Sequence, residues 1–206
     1  HKMSEQAGFI EEFVTTLQLQ GDETFPELLD FILAKARRLT VAEAGTVFVC
    51  EPLLTGTSNL LRCQTAQNDE VEIARETFSV PIDSYSIAGY TALNSKVLKI
   101  DDLYHIDKSA PYEFNPAFDK RYGYTSVSML SVPLKNVKNH VIGVIQLLNH
   151  LPASDSSEKY APFREEDKKN MEALSLILGM MVERAALIEE IERLRDKNGH
   201  GMRPLN

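Results

Sequence analysis

Cysteine is scarce in this chain: two thiols, Cys50 and Cys63, stand among 206 residues. Each falls inside a run that reads as a strand. Both are expected as buried free thiols in a reducing compartment, not as a disulfide scaffold. A basic excess is also missing. With 22 Lys and Arg against 30 Asp and Glu the formal net charge is −8, whereas nonspecific nucleic-acid binding needs a basic surface. No apolar run approaches the length that spans a bilayer, and no leader pattern opens the chain. The expectation is a cytoplasmic protein with neither nucleic acid nor membrane as partner. The five histidines are scattered and none lies at zinc-ligand spacing with another His or Cys. His105, beside Asp101, Asp102 and Asp107, reads as a surface polar cluster before it reads as a metal or haem ligand. No glycine-rich phosphate loop occurs, and no Ser, Cys or Lys stands with an identifiable base. Nothing reads as catalytic, so a binding domain is expected and an enzyme is not.

What is present suits a single soluble domain with extensions, since 43% of residues are hydrophobic and 25% charged. Ser126 to Asn149 is the most informative stretch. Two β-branched apolar runs flank the polar turn Lys135-Asn-Val-Lys-Asn-His140, the pattern of an antiparallel hairpin. Pro133 belongs near the end of the first strand or on its free side, because it cannot donate to a ladder. Gly143 suggests a bulge or a close backbone approach. Alternation puts Ile142, Val144, Gln146 and Leu148 on one face, with Val141, Ile145 and Leu147 on the other. Both faces are apolar, so each is covered. Gln146 is the polar exception, where a small ligand would be read.

The remaining elements follow from periodicity. Residues Ser4 to Leu19 read as an amphipathic helix, and a second helix starts at Thr24 with Glu27 completing a capping box. Strands are expected at Gly45–Glu51, Leu60–Gln67, Thr77–Pro81 and Val97–Ile100, with a short helix over Ile87–Asn94. Asp101 to Asn115 reads as a mobile lid, and Pro116 to Tyr122 as a helical turn. From Arg164 to about Lys197 the chain is helical again. Its second half carries Ile177, Met180, Arg184, Leu187, Ile191 and Leu194 at alternating spacings of three and four, the start of a short coiled coil. Residues 1–2 read as a tag remnant, 3–23 as an N-terminal helix, 24–183 as the domain and 184–206 as a signalling helix. Apolar stripes on both terminal helices imply a homodimer joined through them, with an output domain attached beyond.

The "Val-Ile-Gly-Val-Ile-Gln-Leu-Leu-Asn" strand after "Leu-Ser-Val-Pro-Leu" resembles the late hairpin of GAF domains. Ser86-Ile-Ala-Gly-Tyr90 and Val97-Leu-Lys-Ile-Asp-Asp102 resemble the same family's helix opening and short strand, in the expected order from Thr24 to Glu183. The resemblance implies an α+β fold: a six-stranded antiparallel sheet with terminal helices packed on one face and a ligand pocket on the other. It is closer to the GAF domains of cyclic-nucleotide phosphodiesterases and related cyclases, through Asn149, Phe163 and Asp167. Two positions depart, His150 standing where that motif has Lys and Lys168 where it has Glu. The family's Lys–Asp pair locks a loop to a helix, which implies His150 pairing with Asp167 when the imidazole is protonated.

The resemblance implies a regulatory small-molecule sensor, with cyclic AMP or cyclic GMP as favoured ligand and no certain cofactor. Ile87 and Ala88 match backbone contacts to phosphate or base. The residue ahead of them, Ser86, opens a helix whose positive end suits an anion. Tyr104 matches an aromatic at the end of the short strand. Asp119, Tyr122 and Ser126 match polar positions of the cleft, Gln146 its floor, and Phe48 and Cys50 its far wall. A covalent pigment of the phytochrome kind is not expected, since no Cys follows Cys63. The GAF relatives that reduce free methionine sulfoxide use a larger cysteine set. A sensor of another small ligand and a ligand-free dimerisation and relay module are the alternatives.

Overall fold

The computed structural model describes residues 7–8, 10–15, 24–53, 57–74 and 77–199. Six strands form one sheet: β1 (Ala42–Glu51), β2 (Leu60–Asn68), β3 (Ser79–Pro81), β4 (Leu98–Ile100), β5 (Met129–Lys135) and β6 (Val141–His150). Their order is β3-β2-β1-β6-β5-β4, and every pairing is antiparallel. Helices α1 (Phe25–Thr40), α2 (Ile87–Asn94), α3 (Ala117–Tyr122) and α4 (Glu165–Gly199) complete the frame. This is the α+β architecture expected.

The back of the sheet is covered by α1 and α4. Helix α1 starts where its chemistry requires: the Thr24 side chain accepts from the Glu27 N–H, and the Glu27 carboxylate accepts from the Thr24 N–H at 2.9 Å. Its stripe of Leu28, Leu29, Ile32, Leu33 and Ala36 is buried against Val47, Ile145 and Leu147 from the sheet and Met171, Leu174 and Leu178 from α4. Phe13, in the helical residues 10–15, joins the same cluster. The rest of the expected Ser4–Leu19 helix lies largely outside the described residues. Each fully buried aliphatic side chain here contributes about 1.5–3 kcal/mol. Helix α4 approaches β5 so closely that a Cβ on Gly179 would overlap the Lys135 backbone.

The hairpin departs from simple alternation. Leu134 pairs with Gly143 and Lys135 with Val141, so Ile142 is the extra residue of a bulge. Past a bulge the side chains exchange faces. Ile142 therefore packs in the back cluster, and Val141 on the front beside Val144, the reverse of their expected assignment. Gly143 serves the close approach foreseen for it, since a Cβ there would come 2.5 Å from the Phe48 carbonyl oxygen. Pro133 sits within β5, past Ser131 where pairing with β4 ends, and its carbonyl accepts from the Ser175 hydroxyl of α4.

On the front, α2 and the segment 101–115 pack directly onto the sheet. Ala88 and Ala92 meet Phe48, Cys50, Leu61, Cys63 and Val144, while Ile87 meets Ile100, Leu103 and Met129. The segment expected as a mobile lid is held by contacts of its own. Tyr112 lies 5.1 Å from Tyr90 of α2, and Phe114 makes an edge contact with Tyr104 at 5.2 Å. Two of its aspartates are local caps, Asp102 accepting from the Tyr104 N–H and Asp107 from the Ser109 N–H and hydroxyl, while Asp101 pairs with Lys99 at 2.7 Å. His105 is exposed, with Nδ1 2.7 Å from Asp102, and no group of His, Cys, Asp and Glu that could hold a metal occurs among the described residues.

Candidate functional site

Three elements bring the expected site residues to the front of the sheet. Strand β1 supplies Phe48 and Cys50, and β6 supplies Gln146. Helix α2 supplies Ile87 and Ala88, behind its Ser86 cap. All but Ser86 are buried. The Ser86 hydroxyl accepts from the Gly89 N–H at 2.9 Å, which satisfies one of the donors at that helix end. Among the described residues the Ile87 and Ala88 N–H groups have no such partner, so the first turn retains donors for an anion.

Two buried polar nodes organise this face. In the first, the Thr91 hydroxyl donates to the Ile87 carbonyl at 2.8 Å and lies 2.7 Å from the Ser131 hydroxyl. The Gln146 amide donates to Ser131 at 3.3 Å. This chain ties α2 to β5 and β6. Sequence reading picked out only Gln146. The signal for the others was Ser131, which stands opposite Gln146 in the β5–β6 register, and Thr91, one helical turn from Ile87. The second node is centred on Asp119. It accepts from the Ser126 N–H (2.8 Å), the Ser126 hydroxyl (2.7 Å) and the Tyr104 hydroxyl (2.6 Å). That last bond, more than desolvation, pushes the Tyr104 phenol up to about 12. Tyr122 joins neither node by a hydrogen bond. It packs on Phe118 at 4.7 Å, with the Arg121 guanidinium 5.2 Å from its ring.

The motif residues lie apart from these nodes and hold the frame. Asn149 is fully buried and left-handed, with φ 59°, a conformation its short amide tolerates. Its side-chain oxygen accepts from Val127 N–H at 2.7 Å, and its amide donates to the Tyr124 hydroxyl at 2.7 Å and the Thr125 carbonyl at 2.8 Å. Tyr124 in turn donates to buried Glu43, which also accepts from Tyr160. The expected clamp between His150 and Asp167 does not form. His150 Nδ1 donates to the Thr40 carbonyl at 2.8 Å, since a carbonyl can only accept. Asp167 instead accepts from the Arg164 backbone N–H at 2.8 Å and pairs with its guanidinium at 2.6 Å. A carboxylate three residues into a helix reaches back to the cap, which outcompetes a residue on another element. Phe163 is buried with its ring 5.5 Å from that of His150. Lys168 faces away from the front site and lines a cavity beside β5.

The two thiols are poor nucleophiles. Burial pushes Cys50 up to about 12 and Cys63 to about 11, so neither carries the thiolate that redox chemistry needs.

A sheet covered behind by terminal helices and in front by a short capped helix is the architecture of a regulatory sensor domain. The chain belongs to the GAF domain family, whose model matches residues 24–182. It is similar to the cone cGMP-specific 3',5'-cyclic phosphodiesterase subunit alpha' of Gallus gallus, 26% identical over 180 residues, covering 84% of this chain and 20% of that protein. A second relative is the dual 3',5'-cyclic-AMP and -GMP phosphodiesterase 11 of Drosophila melanogaster, 27% identical over 142 residues, 62% of this chain and 9% of that one. The chain thus spans a fifth or less of the length of these relatives. Among solved structures it resembles the GAF domain of A. aeolicus nlh2 in an inactive state, with a TM-score of 0.62 and 19% identity over 89% of this chain and 98% of the other. That likeness concerns the fold. No described helix is long and apolar enough to cross a membrane.

Proposed function

We propose that this GAF domain binds a cyclic purine nucleotide, cyclic AMP or cyclic GMP, on its front face and relays occupancy through α4 to a covalently linked output domain in the cytoplasm. The observation that carries the reading is the α2 terminus: its Ile87 and Ala88 donors stand beside the Thr91–Ser131–Gln146 chain. The cyclic phosphate takes those donors and the helix dipole, and the base replaces partners in the polar chain or at Asp119. The two phosphodiesterase relatives support the ligand class.

The relay reading rests on α4. No residue from Glu183 to Gly199 is buried, while Leu187, Ile191 and Leu194 are 44–48% exposed. A second copy of the same helix, parallel about a two-fold axis, covers that seam. Light scattering should give a dimer at tens of micromolar, and Leu187→Asp with Ile191→Asp should return the monomer. A monomeric parent protein would sink the relay.

Calorimetric titration with cyclic AMP and cyclic GMP tests the ligand. Binding that Ala88→Pro abolishes, with the fold intact by circular dichroism, supports the proposal, because proline removes one donor. No heat and no rise in melting temperature at millimolar nucleotide would defeat it. A second reading, a dimerisation and relay module without ligand, is favoured by one observation. Asp119, Ser126, Tyr104, Gln146, Ser131 and Thr91 already satisfy one another.

A further inference from the structure

A cavity of about 460 Å³ opens beside β5, away from the front-face residues. Its wall is drawn from three places: Ser95, Lys96 and Val97 just after α2, Pro133 and Lys135 on β5, and Lys168, Glu172, Ser175 and Leu176 on α4. The volume lies in the range of small-molecule sites. The space exists because β4 stops pairing opposite Ser131, two residues short of Pro133. The sheet edge is then left to α4 alone.

The charged residues around it are predominantly basic. Lys96, Lys135 and Lys168 are among its lining residues, and none of the three is ion-paired to a carboxylate among the described residues. Glu172 is the single acid in the wall, so the lining carries an excess of two positive charges (three ammonium groups against one carboxylate). Ser95 borders it as well, with its hydroxyl below the surface and without a hydrogen-bond partner among the described residues. Val97, Pro133 and Leu176 add an apolar side. Lys168 is the residue that departs from the family's acidic position, and the departure reverses the charge at this wall.

We propose that this cavity is a second ligand site, which takes a small phosphomonoester: the dianionic phosphate among the three lysines, the organic part against Val97, Pro133 and Leu176. An excess of two charges matches a dianion, and the apolar side favours an ester over free phosphate. The ligand touches both the end of α2 and the buried half of α4. It therefore acts on the helix that leaves the domain from a site separate from the one proposed at the front.

Phenyl phosphate, inorganic phosphate and benzoate are the probes, followed by amide chemical shifts of the intact chain. Phenyl phosphate should shift Ser95, Lys96, Lys135, Lys168 and Glu172 in a saturable manner. It should bind more tightly than inorganic phosphate, which lacks the ring, and than benzoate, which lacks the second charge. Lys168→Glu should weaken it by about tenfold or more, with an unchanged melting temperature. Added salt should weaken it as well. Shifts confined to Ser86–Gly89, equal binding of benzoate, or an affinity indifferent to Lys168→Glu would each overturn the proposal. Shifts confined to Ser86–Gly89 would place the anion at the front-face helix end instead, whereas the responses to benzoate and to Lys168→Glu leave the front-face reading untouched.

Discussion

The two faces of the sheet bury side chains to different ends. Behind it, α1 and α4 close over one continuous apolar cluster, and their buried hydroxyls, Thr40 and Ser175, are each tied to a single backbone carbonyl. In front, the apolar residues divide into two smaller clusters, with hydrogen-bonded polar groups buried on the same side. An apolar cluster resists change through packing alone. A buried polar network is held by specific partners, and any group that offers equivalent hydrogen bonds can exchange with them. The back is thus suited to specifying the fold, and the front to responding to what arrives.

The strongest test acts where the two meet. Asn149 joins the end of β6 to the segment that leads into β5. Replacing it by Ala leaves the Val127 N–H without its acceptor and puts an alanine at φ 59°. A loss of about 4 kcal/mol is expected from the unsatisfied groups and the backbone strain together, measured by urea denaturation. A loss below about 1 kcal/mol would show that the joint is not a structural rivet. On the back, Leu178→Ala should cost about 3 kcal/mol by opening a cavity. It should leave ligand affinity at the front unchanged. If affinity falls in proportion to stability, the faces are not separable.

These contrasts explain what the sequence could and could not disclose. The back was legible because its signals are local: the Thr24–Glu27 cap and the Leu28-to-Ala36 stripe need no knowledge of partners. Ile142 escaped because one extra residue in a hairpin exchanges faces without any change in composition. Most of the expected front residues do cluster, since strand and helix register bring Phe48, Cys50, Ala88 and Gln146 together. Thr91 and Ser131 were missed for a physical reason. A hydroxyl declares its role only through its partner, and here the partners lie 40 residues apart. The His150–Asp167 pairing was misjudged because a nearby helix start competes for the same carboxylate.

Thr91→Val probes the front alone. It keeps the shape, removes the bonds to Ile87 and Ser131, and should cost about 1–1.5 kcal/mol. Its effect on cyclic-nucleotide affinity should exceed its effect on stability if the polar chain is the reading surface. The thiols give a companion test that needs no ligand. With Cys63 pushed up to about 11, roughly one thiol in a thousand is ionised at about pH 8. Alkylation of the folded protein should therefore be slow, and urea should release both cysteines together. Rapid labelling of Cys50 or Cys63 in the folded state would mean that α2 lifts from the sheet far more often than its packing implies.

Tyr104→Phe should have the smallest effect and is the most discriminating. Tyr104 is about half exposed, and its loss leaves Asp119 with both bonds from Ser126, so about 0.5–1 kcal/mol is expected at neutral pH. Its phenol is raised above the ordinary value of 10.0 to about 12, first by the bond to Asp119. For an acid whose folded value is raised, the neutral form is the one favoured by folding. The stabilisation is then complete below about pH 10 and fades as pH climbs toward 12. The stability gap between the parent and Tyr104→Phe should narrow over that window. The other raised tyrosines, Tyr112, Tyr124 and Tyr160, are present in both proteins, so their contributions largely cancel in the difference. A gap that stays constant through pH 12 would show that the hydroxyl contributes nothing through Asp119. A narrowing gap joined to a large change in nucleotide affinity would identify the Asp119 node as part of the front-face reader, in contrast to the inert cluster behind the sheet.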